Sequence, residues 1–162
     1  NSPLKKHSLV LLDVGAQVEQ YAADITRTYA YYEPTARQRD IHTAVQAAHQ
    51  DIIKLLRPGL SIAEYSDQVD ARMRRALYEL GLLASIDDAK YREYFPHAIS
   101  HGLGIDVHDS LGRPTVFEPG MVLTVEPGIY VPSEGIGVRI EDDILITATK
   151  SRNLSHKLPT DL

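Results

Sequence analysis

Four carboxylates fall into two matching pairs. Asp13 pairs with Asp24, in Leu12-Asp13-Val14-Gly15 and Ala23-Asp24-Ile25-Thr26, and Glu126 pairs with Glu141, in Val125-Glu126-Pro127-Gly128 and Ile140-Glu141-Asp142. If each segment is a hairpin, with turns centred on Val18-Glu19 and on Ser133-Glu134, both pairs become opposed cross-strand neighbours. Opposed side chains on antiparallel strands share a face with Cβ atoms roughly 4.5–5.5 Å apart, where like charges repel. Two such hairpins facing each other gather four carboxylates that require positive charge between them. That is the ligand set of a two-metal site rather than of a packed core.

Between the hairpins lies His97-Ala98-Ile99-Ser100-His101-Gly102-Leu103-Gly104-Ile105-Asp106-Val107-His108-Asp109, where three histidines stand beside glycines that let backbone approach a site closely. One imidazole would complete the carboxylate set. Four ionised carboxylates balance two divalent cations, and a bridging hydroxide would serve as activated nucleophile, whereas a single ion leaves a large negative charge uncompensated. Oxygen-rich ligation with one imidazole suits Mn²⁺, Co²⁺, Fe²⁺ or Zn²⁺ better than a thiol-seeking metal.

The composition permits such a site and excludes others. At 162 residues, 43% hydrophobic and 24% charged, the chain can bury a core and reads as one domain over residues 1–162. Having no cysteine, it cannot use disulfides, thiolate zinc sites or a cysteine nucleophile, and it fits a reducing, cytoplasmic setting. A net charge of -5 without a long basic run argues against a nucleic-acid surface. No apolar stretch nears the roughly 18 residues of a membrane span. The leader Asn1-Ser2-Pro3-Leu4-Lys5-Lys6-His7 runs straight into a strand, the expectation for a fragment or processed chain.

The elements that position the carboxylates follow from periodicity. A strand over Ser8 to Val14 and its partner around Asp24 to Thr28 read as a hairpin buried on both sides. Thr35 with Gln38 forms a capping box ahead of a helical stripe, Ile41, Ala44, Val45, Ala48, Ile52, Leu55 and Leu56, that Arg57-Pro58-Gly59 stops. Ser61 with Glu64 opens a second helix ending at Gly81. Leu82 to Pro96 reads as loop with a short helical turn, and strands follow at Met121–Glu126 and Gly137–Thr147. This order favours an α+β domain with helices on one face of a mostly antiparallel sheet.

Taken together, Asp13-Val14-Gly15, Ala23-Asp24-Ile25-Thr26-Arg27-Thr28, Ser100-His101-Gly102-Leu103-Gly104-Ile105-Asp106-Val107-His108-Asp109, Thr124-Val125-Glu126-Pro127-Gly128-Ile129-Tyr130 and Gly135-Ile136-Gly137-Val138-Arg139-Ile140-Glu141-Asp142-Asp143 resemble the successive motifs of the pita-bread metallopeptidases. That family includes methionine aminopeptidase, aminopeptidase P and prolidase. The Asp-Val-His-Asp and Arg-Ile-Glu-Asp-Asp wording is most similar to the Xaa-Pro aminopeptidase and dipeptidase branch, and the matches span residues 9 to 147.

The resemblance implies a pita-bread fold and two divalent metal ions, Mn²⁺ first among them. Asp13, Asp24, His101, Glu126 and Glu141 would be the ligands, with Asp24 and Glu141 bridging. Glu126 would also carry protons, and His108 would hydrogen-bond the scissile carbonyl. His97, Tyr130 and Arg139 would wall the residue after that bond, with His97 also counted among the catalytic groups. The strand period supports one placement independently, since Arg139 and Glu141 share a face opposite Val138 and Ile140. The resemblance further implies a missing N-terminal segment with another substrate-contacting histidine, and therefore a partner segment or homo-oligomer beside a short peptide substrate. Two other readings share the scaffold: a non-catalytic binding module, and a metal-free amidinohydrolase of the creatinase type, against which the retained carboxylates count.

Elsewhere the residues read as structural. His7, His42, His49 and His156 are expected at the surface or in packing, and His97 by itself is equally a hydrogen-bonded structural histidine. Asp142 and Asp143 should bond backbone or groups behind the site. Gly102-Leu103-Gly104 lacks the third glycine and following helix of a dinucleotide fingerprint. Tyr29, Tyr31 and Tyr32 read as sheet-edge packing.

Overall fold

The computed structural model describes residues 3–162, so Asn1 and Ser2 of the leader lie outside the described residues. β1 (Leu9–Val14) and β4 (Ile25–Ala30) pair antiparallel, and between them β2 (Gln17–Val18) and β3 (Tyr21–Ala22) form the tip of the same excursion. The tip closes through Glu19 and Gln20, with φ of 49° and 68°. Two left-handed residues in a row match the right-handed twist of a hairpin, but here neither is the usual asparagine or glycine.

This turn corrects the expected register. With the turn at Glu19-Gln20, Asp13 stands opposite Thr26 and not opposite Asp24. The offset is two residues, so each side chain keeps its expected face and the carboxylates still converge. Gly15 makes the adjoining crossing work, because a Cβ there would lie 1.9 Å from the Ala23 carbonyl oxygen. Burial on both sides is corrected as well. Leu12 and Val14 are 46% and 61% exposed, leaving the outer face of β1 open to solvent.

α1 (Ala36–Leu55) carries the expected capping box, in which Thr35 accepts from the Gln38 N–H and Gln38 returns a bond to Thr35. Its buried stripe, Ile41, Val45, Ala48 and Ile52, packs over the second sheet system and against α2 (Ile62–Glu79), which buries Tyr65, Val69, Met73 and Leu77. The anticipated short turn is α3 (Tyr91–Tyr94), anchored by Tyr91 and Phe95 at 1% exposure each.

The second strand system is split where two long strands were expected. β5 (Val122–Val125) pairs with β8 (Asp142–Ile146), which also pairs with β9 (Ser151–Asn153), while β6 (Gly128–Val131) pairs with β7 (Ile136–Arg139). Pro127 has no N–H to give a ladder, so pairing breaks there. The register survives the break, with Val125 opposite Asp142 on one side and Gly128 opposite Arg139 on the other. Glu126 and Glu141 therefore occupy matching positions, as the expected turn near Ser133-Glu134 requires. Every strand pair is antiparallel.

The two strand systems join along β4. The Glu141 N–H donates to the Thr26 carbonyl at 3.0 Å, and the Thr28 hydroxyl both accepts from the Arg139 N–H and donates to its carbonyl. Arg27, 5% exposed, closes the rear by donating to the Glu141 carbonyl, the Asp142 carboxylate and the Pro159 carbonyl.

Candidate metal centre

Asp13 comes from β1, Asp24 from the bend before β4, His101 and His108 from the glycine-punctuated segment, Glu126 from the break after β5 and Glu141 from the break before β8. His101 sits at the centre. Its Nε2 lies 3.5 Å from Asp24, 3.6 Å from Glu126 and 4.0 Å from Glu141. Its Nδ1 is 3.0 Å from the Gly102 carbonyl, which can only accept, so Nδ1 carries a proton and Nε2 is the ring atom turned to the carboxylates, the one that a cation would use.

The ligand-capable groups form overlapping triads, each with donor atoms within 4.8 Å of one another. One comprises Asp13, Asp24 and Glu141, and another His101, Glu126 and Glu141. A third joins Asp24, His101 and His108. Asp24 and Glu141, the residues expected to bridge, each belong to two triads.

Electrostatics favour a cation here. Burial raises the Glu141 carboxyl to about 8, against a lowering bond from Thr26, and the charges of Glu126, Asp24 and Asp13 push it further. Burial also raises Asp24, with Asp13 adding to the effect. Carboxyls held above their ordinary range are desolvated and repelled, and positive charge relieves both costs. The oxygen-rich set with a single imidazole fits hard or borderline divalent ions.

The surrounding groups are ordered by one hydrogen-bonded chain. Arg139 Nη1 donates to the Tyr130 hydroxyl at 3.2 Å, and Tyr130 donates to His97 Nε2 at 2.9 Å, since His97 Nδ1 is used on the Ala98 carbonyl at 2.8 Å. Arg139 Nη2 also pairs with Asp13 at 2.5 Å. His108 is exposed and meets His101 edge to face, with ring centroids 4.4 Å apart. Asp109 shapes that loop by accepting from the Ile105 N–H, packed so closely that a Cβ on Gly104 would lie 2.3 Å from its Oδ2.

Asp142 turns away from the cluster to Arg27, Asn153 and His49, and Asp143 accepts from the Asp24 N–H. His42 and His49 are buried residues of α1, while His156 is exposed. Sequence reading passed over Thr26 and Thr124, whose hydroxyls touch the ligands themselves. Their signal was positional: Thr124 is two residues from Glu126, and Thr26 two from Asp24.

Comparison with known proteins places this geometry. Residues 1–148 match the model of metallopeptidase family M24. The Xaa-Pro aminopeptidase of Escherichia coli is 41% identical over 170 residues, covering 94% of this chain and 38% of the relative. The Xaa-Pro dipeptidase of Pyrococcus horikoshii is 38% identical over 156 residues, covering 94% and 40%. Among solved structures, aminopeptidase P of Escherichia coli with the inhibitor Pro-Leu superposes with a TM-score of 0.90 at 40% identity, covering 99% of this chain and 40% of that one. Proline aminopeptidase P II of Yersinia pestis gives 0.88 at 42%, covering 99% and 41%. The chain thus spans about two fifths of the relatives it matches.

Proposed function

The chain belongs to metallopeptidase family M24 and has its pita-bread fold, and from this we propose that it carries the dinuclear metal centre of an enzyme that cleaves the N-terminal bond of short peptides before proline. The observation that carries the reading is His101 Nε2, within 4.0 Å of carboxylates from three separate segments. The similarity to Xaa-Pro aminopeptidases and dipeptidases supports the bond, and the Pro-Leu inhibitor of the Escherichia coli relative supports a short proline peptide.

Asp13, Asp24, His101, Glu126 and Glu141 would hold two divalent ions, Mn²⁺ in our assignment. Bound there, the ions supply Lewis-acid polarisation of the scissile carbonyl and make water acidic enough to attack near neutral pH. Glu126 takes the proton of the attacking water and returns it to the departing nitrogen. His108, exposed at the rim, donates to the carbonyl oxygen as charge develops on it. His97 stands with its Nδ1 3.6 Å from Glu126, and with Tyr130 and Arg139 it forms the wall for the residue after the bond.

The open apolar face of the β1–β4 hairpin, with Leu12, Val14 and Tyr29 exposed, supports a covering partner, either a further polypeptide segment or a second copy. The lack of cysteine supports a cytoplasmic setting. Elemental analysis after chelation and Mn²⁺ reloading should find two ions per chain, and the protein should release the first residue of an Xaa-Pro peptide in a chelator-sensitive manner. Absence of bound metal overturns the reading. Two ions without hydrolysis would leave the non-catalytic binding module.

A further inference from the structure

Two threonines with no exposed surface, Thr26 and Thr124, lie against opposite halves of the ligand cluster. The Thr26 hydroxyl is 2.9 Å from Asp13 Oδ1 and 2.6 Å from Glu141 Oε2, and it accepts from Arg139 Nε at 3.0 Å. The Thr124 hydroxyl donates to Glu126 Oε1 at 3.2 Å and accepts from the His101 N–H at 3.1 Å. Thr26 thus touches Asp13 and Glu141 of the Asp13–Asp24–Glu141 triad. Thr124 touches His101 and Glu126 of the His101–Glu126–Glu141 triad.

Backbone register explains the arrangement. Thr26 is the cross-strand partner of Asp13, so the two share a face. Thr124 precedes Glu126 by two positions and likewise shares its face. A β-branched side chain in a strand has a restricted χ1, so each hydroxyl is a fixed point for a carboxylate that could otherwise rotate. The restraint matters most for Asp13, whose side chain is 47% exposed.

Resting on the dinuclear reading above, we propose that Thr26 and Thr124 are positioning residues that divide the centre between them. Thr26 sets the ion site on the Asp13 side, and Thr124 sets the one on the His101 side. A hydroxyl has one proton, so Thr26 gives it to one carboxylate oxygen while Arg139 Nε fills a lone pair. This fixes Asp13, Glu141 and Arg139 relative to one another. Thr124 does the same for Glu126 and the His101 backbone. Groups that hold metal ligands from behind typically contribute 10- to 100-fold in affinity.

The test is Mn²⁺ titration of the chain, followed by calorimetry and electron paramagnetic resonance. Wild type should bind two ions with the signal of a coupled pair. Thr26→Val and Thr124→Val should each weaken one ion by about 10- to 100-fold, keep the other, and lose the coupled signal. Thr26→Ser and Thr124→Ser, which keep the hydroxyl but lose the γ-methyl that restricts χ1, should bind more tightly than the valine variants and no more tightly than wild type. On an Asp13→Asn background Thr26→Val should add little and Thr124→Val its full effect, with the reverse order on His101→Ala. Valine variants that bind like wild type, or serine variants as weak as valine, overturn the assignment. If a valine chain fails to fold, alanine against serine at the same position decides by the same criteria. A wild-type chain that binds no Mn²⁺ refutes instead the dinuclear reading on which the assignment rests.

Discussion

Arg27 and Asp142 form an ion pair of 2.6 Å, their side chains 6% and 3% exposed, directly behind the strand break whose front presents Glu141. The same guanidinium donates to the Glu141 carbonyl, so one buried cation ties the rear of the cluster to the tail at Pro159. Removing one member of such a pair leaves an uncompensated charge in a largely buried site. Arg27→Met should therefore cost about 3–5 kcal/mol of folding stability by chemical denaturation. A loss below about 1 kcal/mol would place the pair with surface salt bridges.

Acid should find a second weak point beside it. Burial pushes the His49 imidazole down from 6.5 to about 4, with Asp142 opposing and Arg27 assisting. Between those values the unfolded chain binds a proton that the folded chain does not. Stability should hence rise with pH through this window and be lost as pH falls through it. His49→Gln should flatten that part of the stability profile, and an unchanged slope would remove His49 as its source.

Metal should stabilise the fold. The carboxyls of Asp24 and Glu141 are raised by burial and mutual repulsion, and a bound cation reverses both effects. Mn²⁺ at about 100 times its dissociation constant adds about 2.7 kcal/mol if only the folded state binds it. Chelated protein should therefore melt at a lower temperature than reloaded protein. Identical melting curves would contradict a preformed centre.

Two substitutions separate ligand from donor in an assay of Xaa-Pro peptide hydrolysis. Glu126→Gln should lower turnover by about 10²–10⁴ because it removes the proton carrier. His108→Ala should lower it by about 10²–10³ while metal content is retained. Loss of metal from His108→Ala would give weight instead to the triad of His108 with Asp24 and His101.

Much of this centre could be read along the chain because its residues obey strand periodicity. Arg139 and Glu141 face the site while Val138 and Ile140 are fully buried behind them, and the matching positions of Glu126 and Glu141 follow from a turn near Ser133-Glu134. The first hairpin was harder. Glu19 and Gln20 adopt left-handed conformations without the residues that normally announce them, so its register was displaced by two. Thr26 and Thr124 were missed for a related reason. A threonine in a strand is an ordinary β-former, and only the register reveals that its hydroxyl meets a carboxylate.

The bond from the Glu141 N–H to the Thr26 carbonyl joins residues 115 positions apart. Its consequence is kinetic. The Asp13–Asp24–Glu141 triad draws on both strand systems, so the ion site on the Asp13 side cannot assemble until these distant segments have docked, and long-range closure of this kind is slow relative to helix formation. Uptake of that ion by a refolding chain should then lag behind the recovery of helical signal, making it a clock for this long-range step of folding.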